Sequence, residues 1–425
     1  MYDKFGLSID GRWHKGASSA PVFNPASATP LGDCPQASVA DTVMALEAAA
    51  QDLKPWAATP AFPRADAPHL IAGEMTGRTD EAARMISTET GKPIAQAGRE
   101  WGLSVDPFRW GAEEARRSQG RIVESRVPVG RFESHHQPVG VVAAFTARNF
   151  PAALLARKIV PALAAGCSVI ARPSSQTPGV AMVMVDCCRV GALPDGTVNL
   201  VVGPIEASYQ PIMADKRVRK VSLTGSTRVG QRMIRDAAAT LKEVSMELGG
   251  TAPLIICDDA DPDLSVAIFP PINARPLTEI ETTLADAIRA GAKLAHGGTR
   301  AAGFNAGHFF DPTVLTQCSD EMKVMTAKNL GPIAAITRFS TEDEVLACAN
   351  ASDMGLSAYA FTNDPARARR TVSALKAGMV GINSYALAGA EAPFGGTRHS
   401  GMGREGGIEG IREYLDIKSS QVVWA

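Results

Sequence analysis

Residues that could bind a phosphate group follow an apolar stretch in the middle of the chain. Gly225 and Ser226 follow residues 218–223, a predicted buried strand, after one intervening residue, Thr224, and they precede a predicted helix. We expect Gly225 to allow a tight turn, and free N–H groups at a helix N-terminus favour an anion. A helix cap without any ligand would use the same residues, so both interpretations stay open at this point.

A second candidate group follows residues 167–171, another predicted strand. It consists of Arg172, Pro173, Ser174 and Ser175. In dinucleotide-binding folds this position contacts the adenosine ribose: an acid there binds the 2′-hydroxyl, whereas a cation with small hydroxyls accepts a 2′-phosphate. The group holds an Arg and no acid, which favours a 2′-phosphate. A solvent-exposed loop is the alternative.

Asn149 and Glu247 are the candidates for oxyanion and acid–base chemistry. Asn149 stands just before a helix predicted to begin at Pro151, where its amide could donate to a developing oxyanion or simply cap the helix. Glu247 lies beside Gly249 and Gly250, and such glycines suit a close approach of the backbone to a ligand. A surface ion pair is the alternative interpretation of that carboxylate.

The elements that carry these residues follow a repeated strand–helix order. The apolar run 139–145 is typical of a strand buried on both faces of a parallel sheet, and a helix is predicted from Pro151 to about Ala165, with Gly166 just past its end. Together with residues 167–171 these form a βαβ unit. A further strand, 198–202, ends at Gly203. The pattern predicts a doubly wound α/β sheet.

Composition excludes several classes of protein. The chain has 425 residues, which suits two or three domains, and its 43 Lys and Arg balance 44 Asp and Glu. This charge gives no reason to expect a nucleic-acid or membrane partner. Seven irregularly spaced cysteines show no metal-ligand spacing and are typical of reduced thiols, and no apolar stretch is long enough to span a bilayer. We therefore expect a cytoplasmic protein without a metal.

Taken together, the ordered motifs resemble the aldehyde dehydrogenase family over nearly the whole chain. Within the family the chain looks most similar to the succinate-semialdehyde dehydrogenase group, which carries an Arg at the Arg157 position to hold the substrate carboxylate. The matching runs are 149–151, 156–167, 172–178, 224–227, 247–250, 258–261, 377–383 and 392–401.

The resemblance implies a fold and an assembly. It implies a Rossmann-type dinucleotide-binding domain over residues 1–120 and 138–247, and a shortened α/β catalytic domain over 248–406. Residues 121–137 and 407–425 would form a small β oligomerisation arm. The arm and the C-terminal strand are expected to pair between subunits of a homodimer or homotetramer, because a sheet edge is seldom left unpaired.

The resemblance also implies roles for single residues. Asn149 would be the oxyanion donor, Glu247 the general base that activates water, and Arg157 the contact for the carboxylate of a small aldehyde substrate. The cofactor would be NADP, preferred over NAD because of Arg172 and Ser175. The residues implied in cofactor binding are Arg148, Arg172, Pro173, Ser174, Ser175, Gly203, Gly225, Ser226 and Leu248.

The family's nucleophilic cysteine has no counterpart at its expected place. The family carries it about thirty-four residues after the Glu247 position, and the corresponding residues 275–283 contain no Cys. We expect that a block of about sixty residues is absent between residues 264 and 271. The alternatives are an active oxidoreductase, a catalytically silent homologue that serves as a dinucleotide-binding or structural subunit, and an incompletely reported sequence.

Three other positions depart from the family pattern. Arg148 stands where the family has Trp, and Gly389 lies near the place where the semialdehyde group has a small hydroxyl. Lys328 replaces the Glu that holds the nicotinamide ribose. An ammonium group has no acceptor for the ribose hydroxyls, so this anchor is expected to be lost.

Overall fold

The computed structural model of the chain describes residues 2–261, 263, 277–303, 307–329 and 331–424. In chain order, its strands are β1 (Leu7–Ile9), β2 (Arg12–His14), β3 (Ser18–Phe23), β4 (Pro30–Gln36), β5 (Arg121–Glu124), β6 (Gly130–Pro138), β7 (Val141–Phe145), β8 (Ser168–Arg172), β9 (Val198–Leu200), β10 (Val218–Thr224), β11 (Glu243–Glu247), β12 (Leu254–Ile256), β13 (Lys293–His296), β14 (Thr313–Thr316), β15 (Ile333–Ala335), β16 (Ser357–Phe361), β17 (Met379–Ile382), β18 (Gly401–Met402) and β19 (Leu415–Val423). Its α-helices are α1 (Val39–Ala58), α2 (Ala61–Gly77), α3 (Thr79–Thr90), α4 (Ile94–Arg117), α5 (Pro151–Ala165), α6 (Pro178–Cys188), α7 (Ile205–Ala214), α8 (Thr227–Ala238), α9 (Leu277–Arg289), α10 (Lys323–Thr326), α11 (Glu342–Asn350), α12 (Pro365–Ala374) and α13 (Gly407–Arg412).

The largest sheet carries the predicted doubly wound core. Among the described residues its strand order is β18-β11-β10-β7-β8-β9-β1-β2, and the strands from β11 to β9 are parallel neighbours. All five residues of β7 are buried, as an apolar run in a parallel sheet requires. Helices α1 and α5 both pack against β8. The predicted α/β fold class is confirmed.

Helix α5 has the bounds that its sequence predicts. Pro151 occupies its first turn, where the missing N–H costs no hydrogen bond. Gly166 ends the helix in the left-handed conformation, with φ of 94°. No helix in the described part of the chain is long and apolar enough to cross a membrane.

The later part of the chain forms two small sheets. One has the order β12-β16-β17 and the other β13-β14-β15, and each packs on its own small apolar cluster. Leu254 and Ile256 on the edge strand β12 are both exposed. Residues 264–271, where the missing block is predicted, lie outside the described residues. Strand β18 falls within the segment 248–406 but pairs with β11 of the large sheet.

The predicted arm forms a separate antiparallel sheet of order β19-β6-β5. Strands β6 and β19 pair along their whole length, from Leu415 opposite Pro138 to Val423 opposite Gly130. The two strands therefore pair with each other inside one chain, and pairing of this sheet with a second subunit stays a prediction. Ile122, on β5, still exposes 66% of its surface and Trp424 exposes 67%, so contact of this sheet with a second copy remains a prediction.

The packing of α4 on α5 gives a testable difference between two glycines of the same helix. A Cβ on Gly111 would overlap the Val160 side chain, whereas nothing lies within 4 Å of a Cβ on Gly102. We expect Gly111→Ala to lower the free energy of unfolding by about 1–3 kcal/mol through overpacking. The control Gly102→Ala should raise it by about 0.5–1 kcal/mol, because Gly is a poor helix former. Urea unfolding measures both, and a Gly111→Ala protein as stable as the parent would contradict the packing.

Candidate active site

The carboxyl ends of the parallel strands bring the candidate residues to one edge of the large sheet. Arg172 ends β8, and Thr224 and Glu247 end β10 and β11 directly opposite each other. Asn149 follows β7, the strand between β8 and β10. Ligands of doubly wound folds bind at this edge, so the arrangement fits a binding cleft.

Glu247 is a buried carboxylate without a hydrogen-bond partner. It is 3% exposed, and neither carboxylate oxygen has a partner among the described residues. Burial, with a smaller effect of the nearby Glu405 charge, raises the pKa of Glu247 well above its usual range. Gly395 packs against it, since a Cβ there would lie 2.8 Å from Oε1. The surface interpretation of Glu247 is therefore wrong.

Arg157 is a buried cation with one spare donor group. Its Nη2 donates to the Ala388 carbonyl oxygen over 2.7 Å, and its guanidinium lies 4.5 Å from the ring centre of Phe394. Its Nη1 has no partner among the described residues. Burial lowers the pKa of Arg157, while the negative charges of Glu405 and Glu247 oppose that shift. The spare N–H is suited to an anionic group of a ligand.

Lys158 and Glu405 form a buried ion pair beside these two groups. Lys158 Nζ donates to Glu405 Oε1, and both side chains are at most 3% exposed. Glu405 Oε2 has no partner in the described part of the chain. Sequence reasoning missed this pair, because its members stand far apart in the chain. The adjacency of Lys158 to Arg157 is the one signal that could have pointed to it.

A second buried ion pair holds the turn that carries Asn149. Lys92 pairs with Glu100, and Lys92 Nζ also donates to the Asn149 carbonyl oxygen over 2.8 Å. Glu100 in turn accepts from the Ala152 N–H over 3.0 Å at the start of α5. The helix-cap interpretation of Asn149 is wrong, because the cap position is Phe150 and makes no side-chain cap bond. No spacing in the sequence indicates this pair.

The phosphate candidate has the geometry of a capped helix. The Ser226 hydroxyl accepts from the Val229 N–H over 3.3 Å at the start of α8. Gly225 donates from its N–H to the Glu247 carbonyl oxygen over 2.9 Å. The chain bends at Gly225 between β10 and α8, and Gly225 is not among the glycines with a positive φ. The loop follows β10 without a special glycine conformation.

Arg172 points inward rather than towards solvent. Its Nη2 donates to the Gly203 carbonyl oxygen over 2.6 Å and its Nη1 to the Pro173 carbonyl oxygen over 3.2 Å. Burial lowers the pKa of its guanidinium. The exposed-loop interpretation is therefore wrong for Arg172, which ties the loop after β8 to the loop after β9. Ser174 is half-buried and Ser175 is exposed.

Arg148 and Lys328 place two cations along the same edge. Arg148 Nη1 donates to Gln176 Oε1 over 2.6 Å and so connects the loops after β7 and β8. A Cβ built on Gly249 would lie 3.0 Å from Lys328 Nζ. The Lys328 ammonium group therefore covers Gly249, the residue that follows the buried Leu248. Both departures from the family pattern therefore lie at the candidate cleft.

The seven cysteines all lie in the described part of the chain. Burial raises the pKa of each thiol, to about 12 for Cys34, Cys167 and Cys187 and to about 11 for Cys348. A raised thiol pKa lowers the thiolate fraction at neutral pH and with it the reactivity. Across the part of the chain that the structure describes, no group of three or more His, Cys, Asp or Glu side chains could hold a metal ion.

The Lys92–Glu100 pair gives a prediction for stability. Lys92→Met leaves the Glu100 charge buried and unpaired, and we expect a loss of about 3–5 kcal/mol in the free energy of unfolding. The double variant Lys92→Met/Glu100→Gln removes both charges and keeps an oxygen for the Ala152 N–H, so most of the loss should be recovered. Unfolding midpoints in urea measure this. Equal losses in the single and double variants would contradict the role of the unpaired charge.

Comparisons with known proteins agree with this architecture. The structure of an NADP-dependent enzyme from E. coli matches with a TM-score of 0.95 and 33% identity, covering 99% of this chain and 98% of that one. Succinate-semialdehyde dehydrogenase from Burkholderia pseudomallei matches with a TM-score of 0.94 and 33% identity over 99% of this chain and 98% of that one.

Sequence relatives and a family profile give the same assignment. The chain is 37% identical to 3-sulfolactaldehyde dehydrogenase of Pseudomonas putida over 464 aligned positions, which cover 96% of this chain and 95% of that protein. It is 34% identical to the NADP⁺ succinate-semialdehyde dehydrogenase of Escherichia coli K12, with 96% of each chain covered. Residues 13–269 and 265–420 match the profile described as aldehyde dehydrogenase family. The chain belongs to the aldehyde dehydrogenase family of oxidoreductases, as its motifs predict.

Proposed function

We propose that this family member binds NADP, or NAD less tightly, together with a small aldehyde that carries a carboxylate. The observation that supports the substrate class is the spare N–H of buried Arg157 beside the unpaired carboxylate of Glu247. A substrate carboxylate would satisfy that donor with a charge-assisted hydrogen bond. Relatives named for succinate semialdehyde and glutarate semialdehyde carry such a group on their substrates.

The strand ends fit a dinucleotide. The Oγ1 atoms of Thr146 and Thr224 are buried and lack partners among the described residues, so polar groups of a ligand could satisfy them. When bound, the cofactor accepts a hydride from the substrate. The residues proposed to hold it are Arg148, Arg172, Pro173, Ser174, Ser175, Gly203, Gly225, Ser226 and Leu248.

Within this proposal the two arginines of the cleft have different tasks. Arg172 fixes the Pro173 and Gly203 carbonyl groups and so shapes the ribose pocket. The proposed contacts for a 2′-phosphate are Arg148, which also bonds to Gln176, and the exposed Ser175. At the other end, Lys328 in place of a carboxylate weakens the hold on the nicotinamide ribose, because it offers donors only.

For catalysis, the proposed roles are Asn149 as oxyanion donor and ionised Glu247 as the base that takes a proton from water, and both act only on an adduct that a thiolate must first form. The proposed domains are residues 1–120 and 138–247 for the dinucleotide, 248–406 for catalysis, and 121–137 with 407–425 for assembly. Exposed apolar side chains on the sheet of β5, β6 and β19 favour a homodimer or homotetramer.

The raised pKa of the cysteine thiols favours a second candidate function, a catalytically silent binding subunit. Aldehyde oxidation through a thioester needs a thiolate, and burial raises the pKa of all seven cysteines. The alignment with 3-sulfolactaldehyde dehydrogenase spans 464 positions, whereas this chain has 425 residues. The alignment therefore contains gaps in this chain, which supports a missing internal block.

Calorimetric titration tests the cofactor preference. We expect NADP to bind more tightly than NAD, because Arg148, Arg172 and Ser175 lie at the ribose position and the loop after β8 carries no acid. Arg148→Ala should weaken NADP binding by about tenfold or more, as loss of a charged hydrogen bond does. The matched control is Arg219→Ala, on an exposed position of β10. Equal or tighter binding of NAD would contradict the proposal.

An activity assay tests the thioester route. Purified protein with succinate semialdehyde and NADP or NAD should form no more reduced cofactor than the Glu247→Gln variant, because no activated thiol begins the reaction. Absorbance of the reduced nicotinamide measures the product. Turnover above the variant that a thiol-blocking reagent abolishes would contradict this expectation and assign a nucleophile among the seven cysteines.

A further inference from the structure

The order of the strands gives the proposed cofactor a direction along the cleft. The residues proposed for the adenosine ribose follow β8, and Ser226 at the start of α8 follows β10. A dinucleotide whose phosphates lie at that helix start has its second half beyond β10, because the phosphates join its two halves. The next strand of the sheet is β11, which ends at Glu247. The nicotinamide end of the cofactor is therefore expected beside Glu247 and the glycines that follow it.

Lys328 lies at this end of the cleft. Its Nζ is 3.0 Å from the position that a Cβ on Gly249 would take. Gly249 is held in place, because its carbonyl oxygen accepts from the buried Ser400 hydroxyl over 2.6 Å. The neighbouring His399 carbonyl oxygen accepts from the hydroxyl of Thr227, the first residue of α8, over 3.2 Å. The same segment therefore connects the start of α8 to the glycine that Lys328 covers.

The groups described at this end of the cleft carry more positive than negative charge. Arg157 is a buried guanidinium, and Lys328 adds an ammonium group. Lys158 and Glu405 form an ion pair, so their charges cancel. Burial raises the pKa of Glu247, which favours its neutral, protonated form. The oxidised nicotinamide ring carries a positive charge and the reduced ring carries none, so nearby cations act differently on the two forms.

We propose that the cleft selects the reduced form of the cofactor, NADPH, and that Lys328 sets this selectivity. The inference rests on the dinucleotide binding of the proposed function and adds the oxidation state that the site retains. A site can discriminate against one ligand by placing a like charge beside it, and Lys328 is such a charge for the oxidised ring. A subunit that retains NADPH needs no nucleophile, whereas the oxidation of an aldehyde begins with the oxidised cofactor and a thiolate.

Calorimetric titration of the full chain with NADP, NADPH and adenosine 2′,5′-bisphosphate tests the inference. The bisphosphate carries the adenosine half and its 2′-phosphate but no nicotinamide. At low ionic strength NADPH should bind at least about tenfold more tightly than NADP, because the oxidised ring and the Lys328 ammonium group repel each other at close range. Lys328 is exposed, so added salt should screen the repulsion and reduce the affinity ratio.

The variants change the charge at one position. Lys328→Met should lower the affinity ratio of NADPH to NADP by about threefold or more, and Lys328→Glu should lower it further, because a carboxylate attracts the oxidised ring. The affinity for the bisphosphate should stay the same, since its groups bind at the other end of the cleft. Lys323→Met, which removes another exposed ammonium group from α10, is the matched control and should leave the ratio unchanged. Circular dichroism confirms that each variant folds.

Three outcomes separate this inference from the proposed function. Equal binding of NADP and NADPH by the parent, or the same ratio in the parent and Lys328→Met proteins, would overturn the inference and leave cofactor binding intact. A loss of bisphosphate affinity as large as the loss of NADPH affinity would also overturn it, because Lys328 would then act on the whole cleft. Failure of all three ligands to bind would overturn the proposed cofactor binding itself.

Discussion

Helix α5 buries two consecutive cations, Arg157 and Lys158, and the arrangement of the site compensates for them. Removing such charges from water is costly unless they are paired. Glu405 supplies the carboxylate for Lys158. Glu405 also exchanges both backbone hydrogen bonds with Phe394, whose ring covers Arg157. The C-terminal segment is thereby fixed onto α5, and it places Gly395 against Glu247.

The secondary structure of the core follows from local sequence signals. Pro151 and Gly166 fix the two ends of α5, and the apolar run of β7 identifies a strand buried on both faces. These features depend on backbone conformation and on the burial of neighbouring residues in the chain. They could therefore be predicted without knowledge of distant contacts, and the family motifs then identified the complete fold.

The electrostatic part of the site could not be predicted in the same way. Lys92 lies beyond the end of α3 and Glu100 lies within α4, and only the packing of these helices under the Asn149 turn makes them partners. The direction of Arg172 likewise depends on the Gly203 carbonyl, 31 residues away. The glycine neighbours of Glu247 indicate a candidate site residue, but the packing of Gly395 against its carboxylate is a contact between distant parts of the chain. Charge and residue type alone do not indicate which residues far apart in the chain contact each other.

The pairing of β6 with β19 has a consequence for biosynthesis. The two strands are separated by the 276 residues between Pro138 and Leu415, yet their register is continuous from Leu415 to Val423. Strand β19 is synthesised long after β6, so β6 can pair only with β5 until β19 has been made. During that time β6 presents an unpaired edge, which is the form of a sheet that associates most readily with other chains. Synthesis of β19, rather than formation of the dinucleotide-binding core, is therefore the event that protects the nascent protein from aggregation at this sheet.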